Sequence, residues 1–195
     1  MNKNLISKIR NYKIAITGSN GFIASHLIAY LKIIGVQKKS LLLINSKTTD
    51  YSLKNLIIKF SKIDLVIHLS SATGGIKYTK DNMATQLYTT MTKDLNVFQA
   101  AKICKVKKVL TLGNFHAYPS QLKKNINEEY LFNGLPAPTH LGIGWSKRNL
   151  AVLSNVFSRN SNTKFIILYS ANAYGPGDSL DLKIMIAAFD STETA

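Results

Sequence analysis

Short, nearly continuous apolar runs alternate with segments in which apolar residues recur at helical spacing. Such runs are typical of parallel strands that are buried on both faces. They predict strands at residues 13–17, 41–44, 64–69, 108–112 and 164–169. The segments between them predict helices at residues 22–34, 53–61, 82–102 and 146–158. Strict alternation predicts an α/β fold, a Rossmann-type doubly wound parallel sheet that binds ligands beyond the carboxyl ends of its strands.

The alternating pattern extends to residue 178, and no internal repeat or linker rich in proline and glycine interrupts it. We therefore expect residues 1–178 to form one NAD(P)-binding Rossmann domain. Residues 179–195 contain no second apolar core, and only residues 180–189 resemble a shortened helix. We expect this segment to be a short C-terminal tail.

The composition indicates a globular chain, because 46% of the 195 residues are hydrophobic and the mean hydropathy is +0.02. No apolar run approaches the ~18 residues that a membrane helix needs, so we expect no membrane partner. The basic start of the chain lacks the apolar region and cleavage site of a secretory signal. Cys104 is the only cysteine, which excludes a disulfide framework and a thiolate metal cluster. These features favour a cytoplasmic location, and no metal site is expected.

The net charge of +15 raises the question of a nucleic-acid partner. The lysines are scattered over the whole length, and arginine occurs only at Arg10, Arg148 and Arg159. Recognition of bases and phosphates favours the forked guanidinium of arginine, so we expect no nucleic-acid partner. The charge could instead steer an anionic cofactor or a nucleotide sugar towards its site.

A glycine turn joins the first predicted strand to the first predicted helix. Gly18 can adopt the backbone angles of a tight turn, Gly21 lets the main chain approach a pyrophosphate, and Ala24 allows close packing of helix on strand. The N–H groups at the start of the helix then face the phosphate, and the helix dipole favours its charge. The candidate cofactor contacts in this turn are Gly18, Ser19, Asn20, Gly21, Phe22 and Ile23.

The end of the second predicted strand bears on the choice between NAD and NADP. A carboxylate there would accept hydrogen bonds from the ribose hydroxyls of NAD. The chain has Asn45, Ser46 and Lys47 at this point instead. A lysine beside two polar side chains could accommodate a 2′-phosphate, which favours NADP. The alternatives are NAD as cofactor and a loop that simply faces solvent.

The spacing Thr-Gly-x-x-Gly-Phe-Ile-x-Ser-His-Leu, which begins at Thr17, resembles the extended short-chain dehydrogenases that modify nucleotide sugars. Three further segments resemble the GDP-L-fucose synthases within that group: residues 64–76, which end in Gly-Gly-Ile, residues 112–119, which end in Tyr-Pro, and residues 172–178, which read Asn-Ala-Tyr-Gly-Pro-Gly-Asp. The resemblance implies a cofactor site that also includes Leu69, Ser70, Ser71, Leu112, Lys147, Ser170 and Asn172.

The resemblance also implies a reaction. Enzymes of this family epimerise GDP-4-keto-6-deoxy-mannose at two ring carbons and then reduce its ketone with hydride from NADPH. A tyrosine gives a proton to the carbonyl oxygen, and a lysine four residues later, on the same helix face, lowers the pKa of the phenol and holds the nicotinamide ribose. A serine binds the substrate carbonyl, and a cysteine and a histidine exchange protons during epimerisation.

The chain departs from this pattern at the catalytic positions. Lys147 matches the lysine, but Ile143 stands at the tyrosine position and has no proton to give. Asn114 stands at the serine position, where an amide can still bind a carbonyl. His116 stands at the cysteine position and is a plausible acid or base near neutral pH. No histidine follows His140, so the second epimerisation residue of the family is absent.

Three hypotheses about function follow. The chain could be an NAD(P)-dependent nucleotide-sugar epimerase/reductase, although Tyr118 and Tyr130 lack the spacing to replace the missing phenol. It could be a non-catalytic module that binds a dinucleotide or a nucleotide sugar. It could also be a fragment that pairs with a full-length relative, because the C-terminal lobe that binds the sugar in this family is largely absent. By the same resemblance, a homodimer or heterodimer would form through the helices at 82–102 and 146–158.

Overall fold

The computed structural model describes residues 3–72, 74, 76–122 and 126–178. Five strands form a single sheet in the order β2-β1-β3-β4-β5, and every neighbouring pair is parallel. The strands are β1 at Ile14–Thr17, β2 at Leu41–Ile44, β3 at Leu65–His68, β4 at Lys108–Asn114 and β5 at Lys164–Ser170. The chain winds outward from β1 to β2 and then returns to the other side of β1. This confirms the predicted Rossmann-type doubly wound sheet.

Helices cover both faces of the sheet. They are α1 at Lys3–Arg10, α2 at Phe22–Ile33, α3 at Leu53–Phe60, α4 at Ile76–Asp81, α5 at Met83–Ile103 and α6 at Leu141–Ser158. Successive side chains of a strand point to opposite faces, so Ile14 and Ile16 of β1 pack in the core beneath α2, whereas Ala15 packs in the core beneath α3, α5 and α6. The apolar run of β1 is therefore continuous because both of its faces are buried, whereas the edge strands β2 and β5 also carry exposed apolar residues, Leu43, Ile166 and Leu168.

The boundaries of the predicted elements lie within two residues of the sequence predictions, with one exception. The last helix was expected to begin at residue 146, but α6 begins five residues earlier at Leu141. The helices α1 and α4 were not predicted: α1 precedes the first predicted strand, and α4 lies between the predicted strand at 64–69 and the predicted helix at 82–102. Residues 179–195, including the shortened helix expected at 180–189, lie outside the described residues. Within the described residues, none of the helices combines the length and apolarity that crossing a bilayer requires.

Candidate functional site

The carboxyl ends of the strands lie along one edge of the sheet because all five strands are parallel. Thr17, at the end of β1, is in register with Ile44 of β2 on one side and with His68 of β3 on the other. At the far side of this edge, Asn114 of β4 is in register with Ser170 of β5. The edge therefore brings together the segments that carry most of the predicted cofactor and reaction residues.

The glycine turn crosses this edge between β1 and β3. Gly18 has φ +67°, in the left-handed region that favours glycine. A Cβ at this position would lie 2.8 Å from backbone atoms of Leu69 and Ser70, so the turn rests directly on the residues that follow β3. The Ser19 N–H donates to the Ile44 carbonyl at 3.1 Å, which fastens the turn to β2 as well.

The first turn of α2 presents its N–H groups to an anion. Its N-cap is Gly21, which has no side chain to accept a hydrogen bond from these groups. The Gly21 N–H donates to the Gly18 carbonyl at 2.9 Å, which closes the turn, while Asn20 and Ile23 are exposed. Ala24 is 1% exposed against the strands, as expected for a small residue where a helix approaches a sheet. This geometry fits a pyrophosphate.

The loop after β2 lies beside the turn. The Lys47 N–H donates to the Asn45 side-chain oxygen at 3.0 Å, and the Lys47 side chain is exposed. A contact that the sequence did not suggest is made by Tyr51, whose hydroxyl accepts from the Gly18 N–H at 3.2 Å. A cavity of about 380 Å³ opens next to Tyr51, and it is also lined by Ser46, Asp50, Tyr88, Thr92, Lys93 and Asn96.

The other predicted cofactor residues follow the remaining strands. Leu69 and Ser70 contact the turn through their backbone, and Ser70 is buried. The Ser170 hydroxyl lies 3.4 Å from the Gly113 carbonyl, to which it donates. The rest are half-buried or exposed at the same edge: Phe22, Ser71, Leu112 and Asn172. Their roles towards a cofactor stay predictions.

The reaction side of the edge is formed by the first turns of α6. Lys147 is 8% exposed, and burial lowers the pKa of its ammonium group while the Asp94 carboxylate opposes that shift. Ile143, one turn earlier, is 4% exposed. The i, i+4 relation expected of a tyrosine and a lysine is therefore present in the backbone, but the first member is a hydrocarbon.

Two glycines explain why α6 begins before the predicted residue. Glycine is a poor helix former, but each of the two, Gly142 and Gly144, lies where another segment comes too close for a side chain. A Cβ at Gly142 would clash with the Met83 carbonyl oxygen, and one at Gly144 would lie 2.7 Å from the His116 carbonyl oxygen. Tertiary packing against α5 and the β4 end thus outweighs the propensity of glycine.

Asn114 and His116 both lie at the carboxyl end of β4. The Asn114 side-chain oxygen is buried and has no hydrogen-bond partner among the described residues, so the amide is available to a ligand. The His116 ring stacks on His140 with centroids 4.1 Å apart and planes 9° apart. Burial, together with His140, lowers the pKa of His116 to about 4, so His116 is neutral at pH 7 and can accept a proton but not give one.

The sequence analysis missed a buried arginine that stabilises the reaction side of the site. Arg148 is 2% exposed, and it donates to the carbonyls of Ala117 at 2.9 Å and of Gly134 at 2.8 Å. Its guanidinium lies 4.8 Å from the Trp145 ring centroid. Hydrogen bonds from a charged donor are among the stronger ones, so Arg148 fixes the segment next to His116.

A second missed feature is a buried polar chain beneath the glycine turn. It consists of Thr17, His68 and Asp94, which the sequence analysis did not connect. Asp94 occurs four residues after Thr90 and three before Val97, a spacing that places all three on one helix face. The sequence signal that could have identified this chain is therefore a carboxylate on the buried face of α5.

The two long helices also carry exposed apolar side chains. Tyr88 and Leu95 of α5 are 74% and 41% exposed, and Val152 and Val156 of α6 are 46% and 55% exposed. Such surfaces are compatible with a helix-mediated dimer. The dimer expected from the sequence stays a prediction.

The fold and the turn define a Rossmann-type α/β domain in which a glycine turn leads into the N-terminus of α2. The chain belongs to the NAD dependent epimerase/dehydratase family, whose model matches residues 14–192. It is 27% identical over 176 residues to GDP-L-colitose synthase of Yersinia pseudotuberculosis, and 25% identical over 174 residues to GDP-L-fucose synthase of Dictyostelium discoideum. Each match covers 87% of this chain but only 55% and 54% of the relative, so the chain spans about half the length of these relatives.

Solved structures agree with this relationship. GDP-mannoheptose C4 reductase of Campylobacter jejuni, determined with NADP bound, superposes with a TM-score of 0.79 at 25% identity. The match covers 85% of this chain and 53% of the reductase. The resemblance to GDP-L-fucose synthases inferred from the motifs is thus confirmed at the level of the family and of GDP-sugar relatives.

Proposed function

We propose that this chain binds NADP(H) across the carboxyl edge of its sheet, with the pyrophosphate on the first turn of α2. The observation that carries the proposal is the position of Gly18, which brings the turn into backbone contact with Leu69 and Ser70. The uncapped N–H groups after Gly21 then face the edge. Exposed Lys47, in the absence of a carboxylate at the end of β2, supports NADP over NAD.

The second ligand that we propose is a GDP-sugar with a ketone in its ring. The names of the relatives support this substrate class, and the unpartnered amide oxygen of Asn114 can accept a hydrogen bond from a sugar hydroxyl beside the ketone. NADPH supplies hydride when it is bound, and the reduction also needs a proton at the carbonyl oxygen. Ile143 cannot supply that proton and its burial keeps water from its place, so we propose that the chain holds both ligands and reduces the sugar slowly.

Titration separates binding from catalysis. We expect NADPH to bind with a Kd on the order of micromolar, and NADH to bind about tenfold more weakly, measured by cofactor fluorescence. A GDP-4-keto-6-deoxy sugar should bind in calorimetry, while NADPH absorbance at saturating ligands barely falls over hours. Failure to bind either dinucleotide would exclude the proposed function, and rapid NADPH consumption would exclude the proposed slow turnover.

Restoring the phenol tests the reason for slow turnover. We expect Ile143→Tyr to raise NADPH consumption at least about tenfold, since a positioned general acid typically contributes ~10²–10⁴ in rate. The matched control is Leu141→Tyr, which places the same side chain two residues earlier on an exposed part of the same helix. Equal rates for the two variants, with both ligands bound, would show that the missing phenol is not the limiting group.

A further inference from the structure

The edge of the sheet opposite the glycine turn is formed by the amino ends of the five parallel strands. A helix that joins two parallel strands runs back across the sheet, so α2, α3, α5 and α6 end at this edge. The Lys13 backbone N–H donates to Oδ2 of Asp64 at 2.9 Å, and Oδ1 of Asp64 lies 2.8 Å from Nζ of Lys107. The Arg10 guanidinium donates to the Ile34 carbonyl, which holds the end of α1 against the end of α2. We call this continuous surface the amino edge.

Exposed cations are concentrated at the amino edge. Each strand has an exposed lysine at its first residue or within three residues before it, and these are Lys13, Lys38, Lys39, Lys62, Lys107 and Lys164. In the described part of the chain, Asp64 is the one carboxylate among them, since the others lie in α4, in α5 or in the loops that follow strands. The fold therefore brings together lysines that are scattered along the sequence, and the amino edge carries a large net positive charge.

Apolar side chains are exposed within this charged surface. Ile33, the last residue of α2, is 80% exposed, and Ile103, the last residue of α5, is 47% exposed. In α1, Ile9 packs against the core beneath α2, whereas Leu5 is 53% exposed and lies one helical turn from exposed Lys8. Leucine and isoleucine surrounded by lysines are typical of surfaces that lie in the interface of a bilayer.

We propose that the amino edge binds the surface of a bilayer that contains anionic phospholipids. The ammonium groups contact the lipid phosphates, and Leu5, Ile33 and Ile103 enter the boundary between headgroups and acyl chains. A nucleic acid would account for the lysines through its phosphates, but it would not account for the exposed isoleucines. The expectation of no membrane partner was based on the lack of a spanning segment, which a peripheral contact does not need.

The proposed ligand site does not take part in this contact. The glycine turn lies at the carboxyl edge, so it faces water while the amino edge is on the bilayer. The bilayer contact therefore goes beyond the proposed function and is independent of it.

Sedimentation with lipid vesicles tests the contact on the unchanged protein. The probes are vesicles of phosphatidylcholine with about 30% phosphatidylglycerol, and vesicles of phosphatidylcholine alone. We expect binding to the anionic vesicles that weakens at least about tenfold between about 0.1 M and about 0.5 M salt, because salt screens exposed charges. Neutral vesicles should not bind. Equal binding to both kinds of vesicle, or to neither, would overturn the proposal.

Two variants with the same net charge locate the surface. Lys38→Gln with Lys39→Gln removes two charges before β2, and Lys77→Gln with Lys80→Gln removes two exposed charges from α4. We expect the first pair to weaken binding to anionic vesicles about five- to thirtyfold and the second pair to weaken it less than about twofold. Equal losses would show that net charge drives binding and would overturn the assignment to the amino edge.

A change of one apolar side chain separates a bilayer from a nucleic acid. Ile33→Asn should weaken vesicle binding about three- to tenfold and leave the affinity for a duplex DNA of about 30 base pairs unchanged. The control Ile126→Asn changes an isoleucine that is 56% exposed in the loop after β4, and it should alter neither affinity. Tighter binding of the DNA than of the vesicles, or an Ile33→Asn variant that binds vesicles like wild type, would overturn the proposal.

Acetylation of lysines in the unchanged protein gives a test that does not depend on the folding of any variant. Anionic vesicles should slow the acetylation of Lys38, Lys39 and Lys62 at least about threefold, measured by mass spectrometry of peptides, because these side chains face the lipid. Lys77 and Lys80 should react at the same rate with and without vesicles. Uniform protection of all five lysines, or protection of the α4 pair alone, would contradict binding through the amino edge.

Discussion

The glycine turn and the first turns of α6 lie at the same edge of the sheet but depend on different parts of the chain. In the turn, the groups proposed to bind a ligand are backbone N–H groups; a Cβ at Gly18 would not fit against Leu69 and Ser70, and one at Gly21 would lie 3.2 Å from the Gly18 carbonyl oxygen. On the reaction side, at the end of β4 and the start of α6, the predicted reaction residues at positions 114, 116, 143 and 147 would act through their side chains. The fold requires the backbone groups of the turn directly, whereas it constrains the side chains at the four reaction positions mainly by size.

Ile143 illustrates the difference. It is 4% exposed, and an apolar side chain there completes the packing of a helix that Gly142 and Gly144 bring close to its neighbours. A hydrocarbon at this position brings no polar atom of its own into the interior that would need a hydrogen-bond partner. Substitution can therefore remove a catalytic group while the scaffold and the cofactor turn remain. The comparison of the two regions leads to predictions, which follow in order of decreasing expected effect.

The largest effect is expected from Gly18→Ala. The new Cβ would lie 2.8 Å from the backbone at Leu69 and Ser70, and alanine at φ +67° is strained in addition. We expect a loss of about 2–4 kcal/mol in the free energy of unfolding, measured by urea denaturation. NADPH affinity should fall at least about a hundredfold, since the turn must shift for the side chain to fit.

The control for this change is Gly35→Ala, at the far end of α2. Gly35 has φ +89°, but a Cβ there would meet only the Arg10 side chain, which can move. Its loss of stability should be about 1–2 kcal/mol, with NADPH affinity unchanged. Similar losses of affinity in both variants would mean that general destabilisation explains the effect and that the turn does not bind the dinucleotide.

The sequence predicted the features that depend on local pattern. All five strands, the parallel sheet and the glycine turn follow from apolar runs and from the placement of Gly18 and Gly21. The early start of α6 could not be predicted, because glycine propensity points the other way and only the distances to Met83 and His116 reverse it. Local sequence pattern does not predict which segments contact each other in the folded chain.

The same reason explains the missed side chains of the site. From the sequence alone, Arg148 would be assigned to the surface. Only the folded chain brings the carbonyls of Ala117 and Gly134 within hydrogen-bond distance of its guanidinium. Asp94 and His68 are 26 residues apart in sequence and become partners only when α5 packs on β3. Buried polar networks depend on such long-range contacts, so spacing alone indicates at most that a carboxylate lies on a buried face.

A smaller effect concerns the pH dependence of stability on the reaction side. The pKa of His116 is lowered from 6.5 to about 4 by burial and by His140, and burial lowers the pKa of His140 as well. Between these values the unfolded chain binds more protons than the folded one, so stability rises with pH. The urea midpoint of unfolding should be highest above about pH 6.5. It should fall as the pH is lowered towards about 4.

His116→Gln should flatten this dependence, because a glutamine side chain does not titrate. The control His26→Gln removes an exposed histidine on α2 and should leave the slope unchanged. A wild-type midpoint that does not fall on acidification, or an equal slope in His116→Gln, would contradict the assignment of a neutral, half-buried imidazole to the reaction side.

The smallest effect is expected at Lys47, which tests whether the cofactor side discriminates by charge. Its exposed ammonium would meet only the 2′-phosphate, so Lys47→Ala should weaken NADPH binding by about three- to tenfold and leave NADH binding unchanged. Lys62→Ala removes the same charge from the loop before β3, at the opposite edge of the sheet, and should change neither affinity. Because the contact is solvent-exposed, the difference between the two lysine variants should shrink at about 0.5 M salt. Equal losses for NADPH and NADH in Lys47→Ala would show that this residue supports the loop through its position and does not select the phosphate.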